Sequence, residues 1–308
     1  MNFSSMVKGE LEAANVKKPC CKLAALSAFI RTSGSLVTRG KKVGFVLYSE
    51  SDIGDYFAKI IEKLFNEKPL KSENKNGRVK LTYLSDDTLR ILAECKIVDV
   101  DGEGINVRLD IDEDLIAEDC CAVSFIKGAF LGSGSVTVPE IDASKTTGYH
   151  LEFAFSKYVT AADFADLLSR KGFIPKTVER KENYIVYFKS AEEIGYVIAL
   201  IGALNSYLYL TDILVKKEVR NDENRKLNCE MSNLTKQIDA SIKARSDIET
   251  IANSIGLDAL GENLKSVCRA RLENEDASLS ELAAVLGISK SCLNHRLRKI
   301  SEIAKSLK

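Results

Sequence analysis

The chain has 308 residues, 45% of them hydrophobic, with 44 Lys and Arg balanced by 44 Asp and Glu. That length and apolar content suffice for two domains with sizeable cores, and the zero net charge excludes a molecule drawn to nucleic acid by bulk electrostatics alone. No stretch reaches the roughly 20 apolar residues of a membrane span, residues 1–16 carry Lys8, Glu10 and Glu12 with no apolar h-region, and eight cysteines are not a disulfide density, so a cytoplasmic protein with reduced thiols is expected.

The first patterned stretch is the Cys20-Cys21 pair followed by LSAFIRTSGSLV at Leu26 to Val37. Val43 to Ser49 (VGFVLYS) then reads as a strand, Ile53 to Phe65 has helical apolar spacing, Arg78 to Leu84 (RVKLTYL) is a second strand and Thr88 to Cys95 a helix. Val98 to Leu109 suggests a hairpin that could belong to either neighbour.

One hundred residues on, the pattern returns. Cys120-Cys121 precedes IKGAFLGSGSV at Ile126 to Val136, again with Ser-Gly-Ser near its end, and Gly128 and Gly132 match Ala28 and Thr32. A helix with small residues four apart can cross a partner closely. An ordinary buried helix explains either copy alone, whereas the duplication points to a pair. His150 to Phe155, Ala161 to Leu168, Tyr184 to Phe188 and Glu192 to Leu204 repeat the strands and helices of the first half, so each half reads αββαββα, over about 20–110 and 120–205. The Cys-Cys pairs read as small buried residues at helix starts, because no CxxC or HxxxH spacing accompanies them.

The C-terminal part holds 17 Lys and Arg against 15 Asp and Glu from Asn205 onward. Residues 206–227 form a basic linker whose Lys216, Lys217, Arg220, Arg225 and Lys226 suit phosphates, although a solvated linker explains them as well. Residues 228–308 read as a helical domain. An amphipathic helix runs from Ser232 to Ile255 through Leu234, Ile238, Ile242, Ile248 and Ile251 and ends at Gly256; a second runs from about Glu262 to Leu272.

The tail, SLSELAAVLGISKSCLNHRLRKI at Ser278 to Ile300, has helix-turn-helix form. Ser278 and Glu281 form a capping box, Gly287 breaks the first helix, Ile288 packs into the turn and Ser289 caps the second helix. That helix buries Leu293, Leu297 and Ile300 and exposes Lys290, Ser291, Asn294, His295 and Arg298, with Arg296 and Lys299 completing a basic cluster. Asn pairs bidentately with adenine and Arg with guanine, while Ser and Lys suit phosphates. A structural helical hairpin is the alternative reading.

Taken together, the paired small-faced helices and αββαββα halves resemble the LAGLIDADG homing endonucleases. The wording of CCKLAALS at Cys20 to Ser27, KGAFLGSGSV, Tyr149 to Glu152, Glu262 to Lys265, Arg271 to Asn274 and Ser289 to Ile300 is closer to the WhiA family. So is the pattern of Asn224-Arg225, Asn228-Cys229 and Asn233, while Cys292 and Leu293 stand where that family has Gly and Val. The resemblance implies an α+β fold: a duplicated LAGLIDADG-like domain over residues 1–205, then an all-α helix-turn-helix domain. It implies a bacterial transcription regulator acting in sporulation, or in cell division and chromosome segregation. The expected partners are double-stranded DNA and another transcription regulator or an RNA polymerase sigma factor, with the chain monomeric and nucleoid-associated.

An active homing nuclease is the competing reading. Such enzymes place a carboxylate at the end of each motif helix to hold a divalent metal. Here those places hold Ser33 and Ser133, and Glu140 and Asp142 are the only acids the sequence offers as substitutes. His150 and His295, the only histidines, sit in no Ser or Cys triad motif, and there is no phosphate-binding or dinucleotide loop. No enzyme activity, cofactor or metal is therefore expected.

Overall fold

The computed structural model describes residues 2–14, 16–40, 42–73, 77–102, 104–139 and 148–307. The chain divides into two compact units, Met1–Lys216 and Lys217–Lys308, each with its own apolar core.

The first unit opens with α1 (Phe3–Ala13), capped by the Asn2 side chain, which accepts from the Ser5 amide. There follow α2 (Pro19–Ser33), β1 (Gly34–Arg39), β2 (Lys42–Glu50), α3 (Ser51–Phe65), β3 (Leu70–Glu73), β4 (Arg78–Tyr83) and α4 (Thr88–Glu94). A two-stranded sheet, β5 (Val98–Asp101) with β6 (Gly104–Val107), and the short α5 (Glu113–Ile116) separate the halves. The order then recurs as α6 (Asp119–Ser133), β7 (Ser135–Thr137), β8 (His150–Phe155), α7 (Tyr158–Arg170), β9 (Lys176–Arg180), β10 (Asn183–Phe188) and α8 (Ala191–Leu200). The two four-stranded antiparallel sheets share one topology, β1-β2-β4-β3 and β7-β8-β10-β9. The fold is thus α+β with αββαββα halves, and the 98–109 hairpin joins neither sheet.

Local chemistry accounts for these elements. Along β8 the burial alternates, with Leu151, Phe153 and Phe155 turned inward. On α3, Ile53, Phe57, Ile60 and Ile61 form the buried stripe, and Asn66 ends the helix at φ 58°. The helix expected over Glu192 to Leu204 stops at Leu200, because the chain turns through Gly202 at φ 99°. The 26–37 and 126–136 stretches each divide at a glycine: a helix ends at Ser33 or Ser133, and Gly34 or Gly134 leads into a strand.

The centre of the unit is the crossing of α2 and α6. A Cβ on Gly128 would lie 2.1 Å from the Ala25 carbonyl oxygen, and one on Gly132 would lie 2.0 Å from Thr32 Oγ1. The second copy's glycines are what let the backbones touch, as the small-residue spacing suggests.

Beyond the repeats lies α9 (Leu204–Ser254), a 51-residue helix within which the division between units falls. Residues 206–227, expected to be a linker, are helical throughout. No Gly or Pro occurs within α9, its charged residues are good helix formers, and Lys216 pairs with Asp212 at 2.6 Å and Arg225 with Asp222 at 3.5 Å. Of the apolar row expected on its second half, Ile248 and Ile251 are buried, whereas Leu234, Ile238, Ile242 and Ile255 are exposed. Gly256, at φ 76°, ends it as expected, and α10 (Glu262–Glu273), α11 (Leu279–Val285) and α12 (Lys290–Ser306) complete the second unit. Among the described residues, no helix is long and apolar enough to cross a membrane.

Candidate nucleic-acid interface

The helix-turn-helix is built as its sequence suggests. Ser278 Oγ accepts from the Glu281 amide at 3.3 Å while the Ser278 amide donates to Glu281 at 2.8 Å, and that bond lowers the pKa of the Glu281 carboxyl. Gly287 takes φ 63° in the turn, a conformation in which a Cβ is strained. Ser289 Oγ accepts from the Cys292 amide at 3.2 Å to cap α12. Leu293, Ile300 and Ala304 on α12 meet Leu282 and Ala283 on α11, Val267 and Cys268 on α10, and Ile248 and Ile251 on α9.

The α10 segment over Arg271 to Asn274 proves structural. Arg271 is 2% exposed, and its Nη1 donates to the Ala277 carbonyl at 2.7 Å and to Ser241 Oγ at 3.3 Å, fastening the α10–α11 connection to α9. Burial lowers its pKa. Asn274 Nδ2 donates to the Ala270 carbonyl at 2.9 Å.

The side chains expected to meet DNA differ in where they lie. Lys290, Asn294 and Arg298 lie on one face of α12 and line a groove of about 780 Å³, whose far wall is the 233–247 stretch of α9. Ser291, His295 and Lys299 are exposed on the adjoining face. Arg296 departs from the expectation: it is half-buried, and its Nη1 donates to the Asn263 carbonyl at 3.3 Å, because its position on α12 turns toward α10. Ser289 is exposed but its hydroxyl is engaged as the cap. Lys216, Lys217, Arg220, Arg225 and Lys226 all lie on α9; Lys217 is half-buried and the others are exposed.

Sequence reasoning missed that Lys236, Gln237, Lys243 and Arg245 of α9 line the same groove. Arg245 is occupied by Glu275 at 2.7 Å. Lys236 and Lys243, both exposed, add charge opposite Lys290 and Arg298.

At the other unit's motif-helix ends, Ser33 donates to the Phe29 carbonyl at 2.7 Å and Ser133 accepts from the Ala154 amide at 3.1 Å, so each hydroxyl closes local backbone. A cavity of about 350 Å³ lies there, lined by Ser33, Gly34, Ser35, Gly132, Lys8, Glu50 and Arg78 among others. Glu50, which sequence reasoning overlooked, is its one carboxylate among the described residues, and Lys8 approaches it at 3.5 Å. Glu140 and Asp142 lie outside the described residues. One ion-paired carboxylate is a poor match to a divalent metal site that needs charge from both helices. His150 Nε2 lies 3.0 Å from Glu152, which also accepts from Ser135 at 3.3 Å; the carboxylate stands between imidazole and hydroxyl.

These two sites correspond to known domain types. The WhiA C-terminal HTH domain matches residues 224–304, and the WhiA LAGLIDADG-like domain matches residues 122–220. The whole chain is 37% identical to the probable cell division protein WhiA of Alkaliphilus oremlandii, spanning 98% of that protein. The chain belongs to the WhiA family. The probable cell division protein WhiA of Bacillus licheniformis is likewise 37% identical across all of this chain and 98% of its own length. The crystal structure of full-length WhiA from Thermatoga maritima matches 99% of both chains with a TM-score of 0.59 at 24% identity, a likeness of fold. Membership in the WhiA family and its HTH domain make this a DNA-binding type of protein.

Proposed function

We propose that this WhiA-family chain is a sequence-specific regulator of transcription that binds double-stranded DNA, acts in cell division and chromosome segregation, and does not cut DNA. The observation that carries the reading is α12: a capped helix on a packed core, presenting Asn294 and Arg298 one turn apart with Lys290 at its start. Asn294 and Arg298 read base edges. Lys290, Ser291, His295 and Lys299 take the flanking phosphates, as do Lys236 and Lys243 from the groove's far wall. The relatives named as probable cell division proteins favour division over sporulation. The protein works from the cytoplasm, at the nucleoid, as a monomer beside another regulator or a sigma factor. In the first unit, the two serines and the Lys8-paired Glu50 favour a nuclease fold retained for binding.

Genome-wide mapping of binding in the source organism supplies the target, and the purified full chain then tests the reading on target and random duplexes. Asn294→Ala is expected to weaken target binding by about 1–3 kcal/mol and leave random binding nearly unchanged. Lys290→Ala and Lys236→Ala are expected to weaken both, each reducing the logarithmic salt slope by about 0.9. Equal loss on both duplexes for Asn294→Ala would remove it as a base reader. Cleavage of target plasmid in Mg²⁺ or Mn²⁺, abolished by a chelator, would restore the nuclease reading.

A further inference from the structure

The two Cys-Cys pairs, 100 residues apart in sequence, meet in space. They occupy the same two places, the second and third residues, in α2 and in α6. The crossing of these helices brings the Sγ atoms of Cys20, Cys21 and Cys121 within 4.8 Å of one another, with Cys21 and Cys121 separated by 4.0 Å. Cys120, the fourth member, lies beside Cys21 and has Lys18 Nζ 3.8 Å from its sulfur. Cys21 and Cys121 are buried, Cys120 is half-buried and Cys20 is exposed. Cys21 and Cys121 are small buried residues at helix starts, as expected, whereas Cys20 is exposed and Cys120 half-buried, so burial alone does not account for all four thiols.

We propose that Cys20, Cys21, Cys120 and Cys121 form a thiolate site for a thiophilic d10 cation, Zn²⁺, at the junction of the two halves. Tetrahedral zinc with bonds of about 2.3 Å to sulfur holds its ligands roughly 3.8 Å apart. The 4.0 Å between Cys21 and Cys121 is already close to that spacing, Cys20 needs to draw in by less than about 1 Å, and Cys120, outside that trio, completes the set by a larger side-chain rotation.

Burial raises the pKa of the free thiols of Cys21 and Cys121, so the cation's own charge must favour their thiolates, and the surroundings add further positive charge. Neither helix start is capped by its N-cap side chain, Lys18 or Glu118, so the partial positive charge of two helix N-termini is directed at the cluster. Lys18 adds a full positive charge beside Cys120. Four thiolates around Zn²⁺ carry a net −2, which Lys18 and the helix termini offset in part, against Glu118 and the Lys171-paired Asp119 at the start of α6. On binding, each ligand thiol releases one proton to solvent and donates a sulfur lone pair to the metal, with no change of oxidation state. Exposed Cys20 gives the ion its way in. No pair of thiols spaced as in a zinc finger exists in the sequence, because each half supplies two adjacent ligands and the fold assembles the set.

The test uses the full chain under a reductant that does not bind zinc. The metal is stripped with a chelator, and Zn²⁺ is then titrated in competition with a chromogenic chelator. The expected result is one tightly held ion per chain. Loss of outer-shell partners alone costs metal sites about 10–100-fold, so Cys21→Ser with Cys121→Ser is expected to lose more than about 100-fold. Cys229→Ser with Cys292→Ser, both in the second unit, should retain wild-type affinity. If the buried double variant fails to fold, Cys20→Ser at the exposed position is expected to weaken zinc binding at least about 10-fold with metal-free thermal unfolding unchanged. Co²⁺ in place of zinc should give sulfur-to-metal charge-transfer absorption of a multi-thiolate tetrahedral site. A chain that binds no zinc, a double variant that folds and keeps it, or a cobalt complex without thiolate charge transfer would each overturn the proposal.

Discussion

The two motif helices occupy equivalent places in equivalent halves, yet their outward faces do different work. On α2, Ser27 donates to the Cys95 carbonyl at 2.7 Å, and Arg31 donates to the Lys96 and Arg108 carbonyls at 2.6 and 3.1 Å, holding the base of the β5–β6 hairpin. At the positions 100 residues later stand Lys127 and Leu131. Lys127 reaches a different addition, donating to the Ala14 carbonyl at the end of α1 at 2.6 Å. Where the helices face each other, both copies stay small; where they face parts that were not duplicated, each has gained its own clamp. Duplication fixed the seam and left the flanks free to differ.

The seam should break hardest. Gly128→Ala forces a Cβ to 2.1 Å from backbone that cannot swing away, whereas Ala28→Gly only removes a methyl group from the matching place. We expect the first to cost more than about 4 kcal/mol, enough to abolish cooperative folding, and the second about 1 kcal/mol. Chemical denaturation of both variants measures the difference, and similar modest costs would show that the helices cross less closely than described.

The clamp on α2 comes next. Burial lowers the Arg31 pKa to about 10, and Arg31→Met would strand two carbonyls that it now satisfies. A loss of about 2–3 kcal/mol is expected, with hydrogen-exchange protection falling in β5 and β6 before the sheets. Unchanged protection in the hairpin would mean that the hairpin is held by other contacts, such as the ion pairs of Arg108 with Asp110 and Asp112.

The clamp on α6 has the smallest effect and a distinctive pH signature. Desolvation lowers the Lys127 pKa from 10.5 to about 8. Below that value both folded and unfolded states hold the proton and the burial penalty is constant; between about 8 and 10.5 the unfolded chain binds more protons, so stability contributed by this residue rises with pH. The stability difference between Lys127→Met and the parent should therefore shift in the parent's favour by about 1–2 kcal/mol from pH 7 to pH 10.5. A difference that stays flat over that range would place the ammonium in water.

The repeat was legible because its strands alternate and its helices keep their spacing; His150 to Phe155 was read to the residue for that reason. The strands β3 and β9 were not, since all their residues are exposed and they carry no apolar alternation. β1 and β7 were hidden inside the Ser-Gly-Ser runs that begin them. In the second unit, the exposed row on α12 followed from its apolar complement, but the facing Lys236 and Lys243 come from a helix far upstream in sequence and only tertiary packing brings them to the groove. Glu50 and Lys8 went unseen at the motif-helix ends for the same reason.

Every residue of α9 from Glu218 to Ala240 is exposed, so that stretch of helix rests on its own backbone hydrogen bonds and side-chain pairs. A helix without tertiary support is marginal in water and opens locally far more often than a packed one. Trypsin supplied briefly to the native protein should therefore cut first at Arg220, Arg225, Lys226 or Lys236, releasing two resistant fragments long before either core yields.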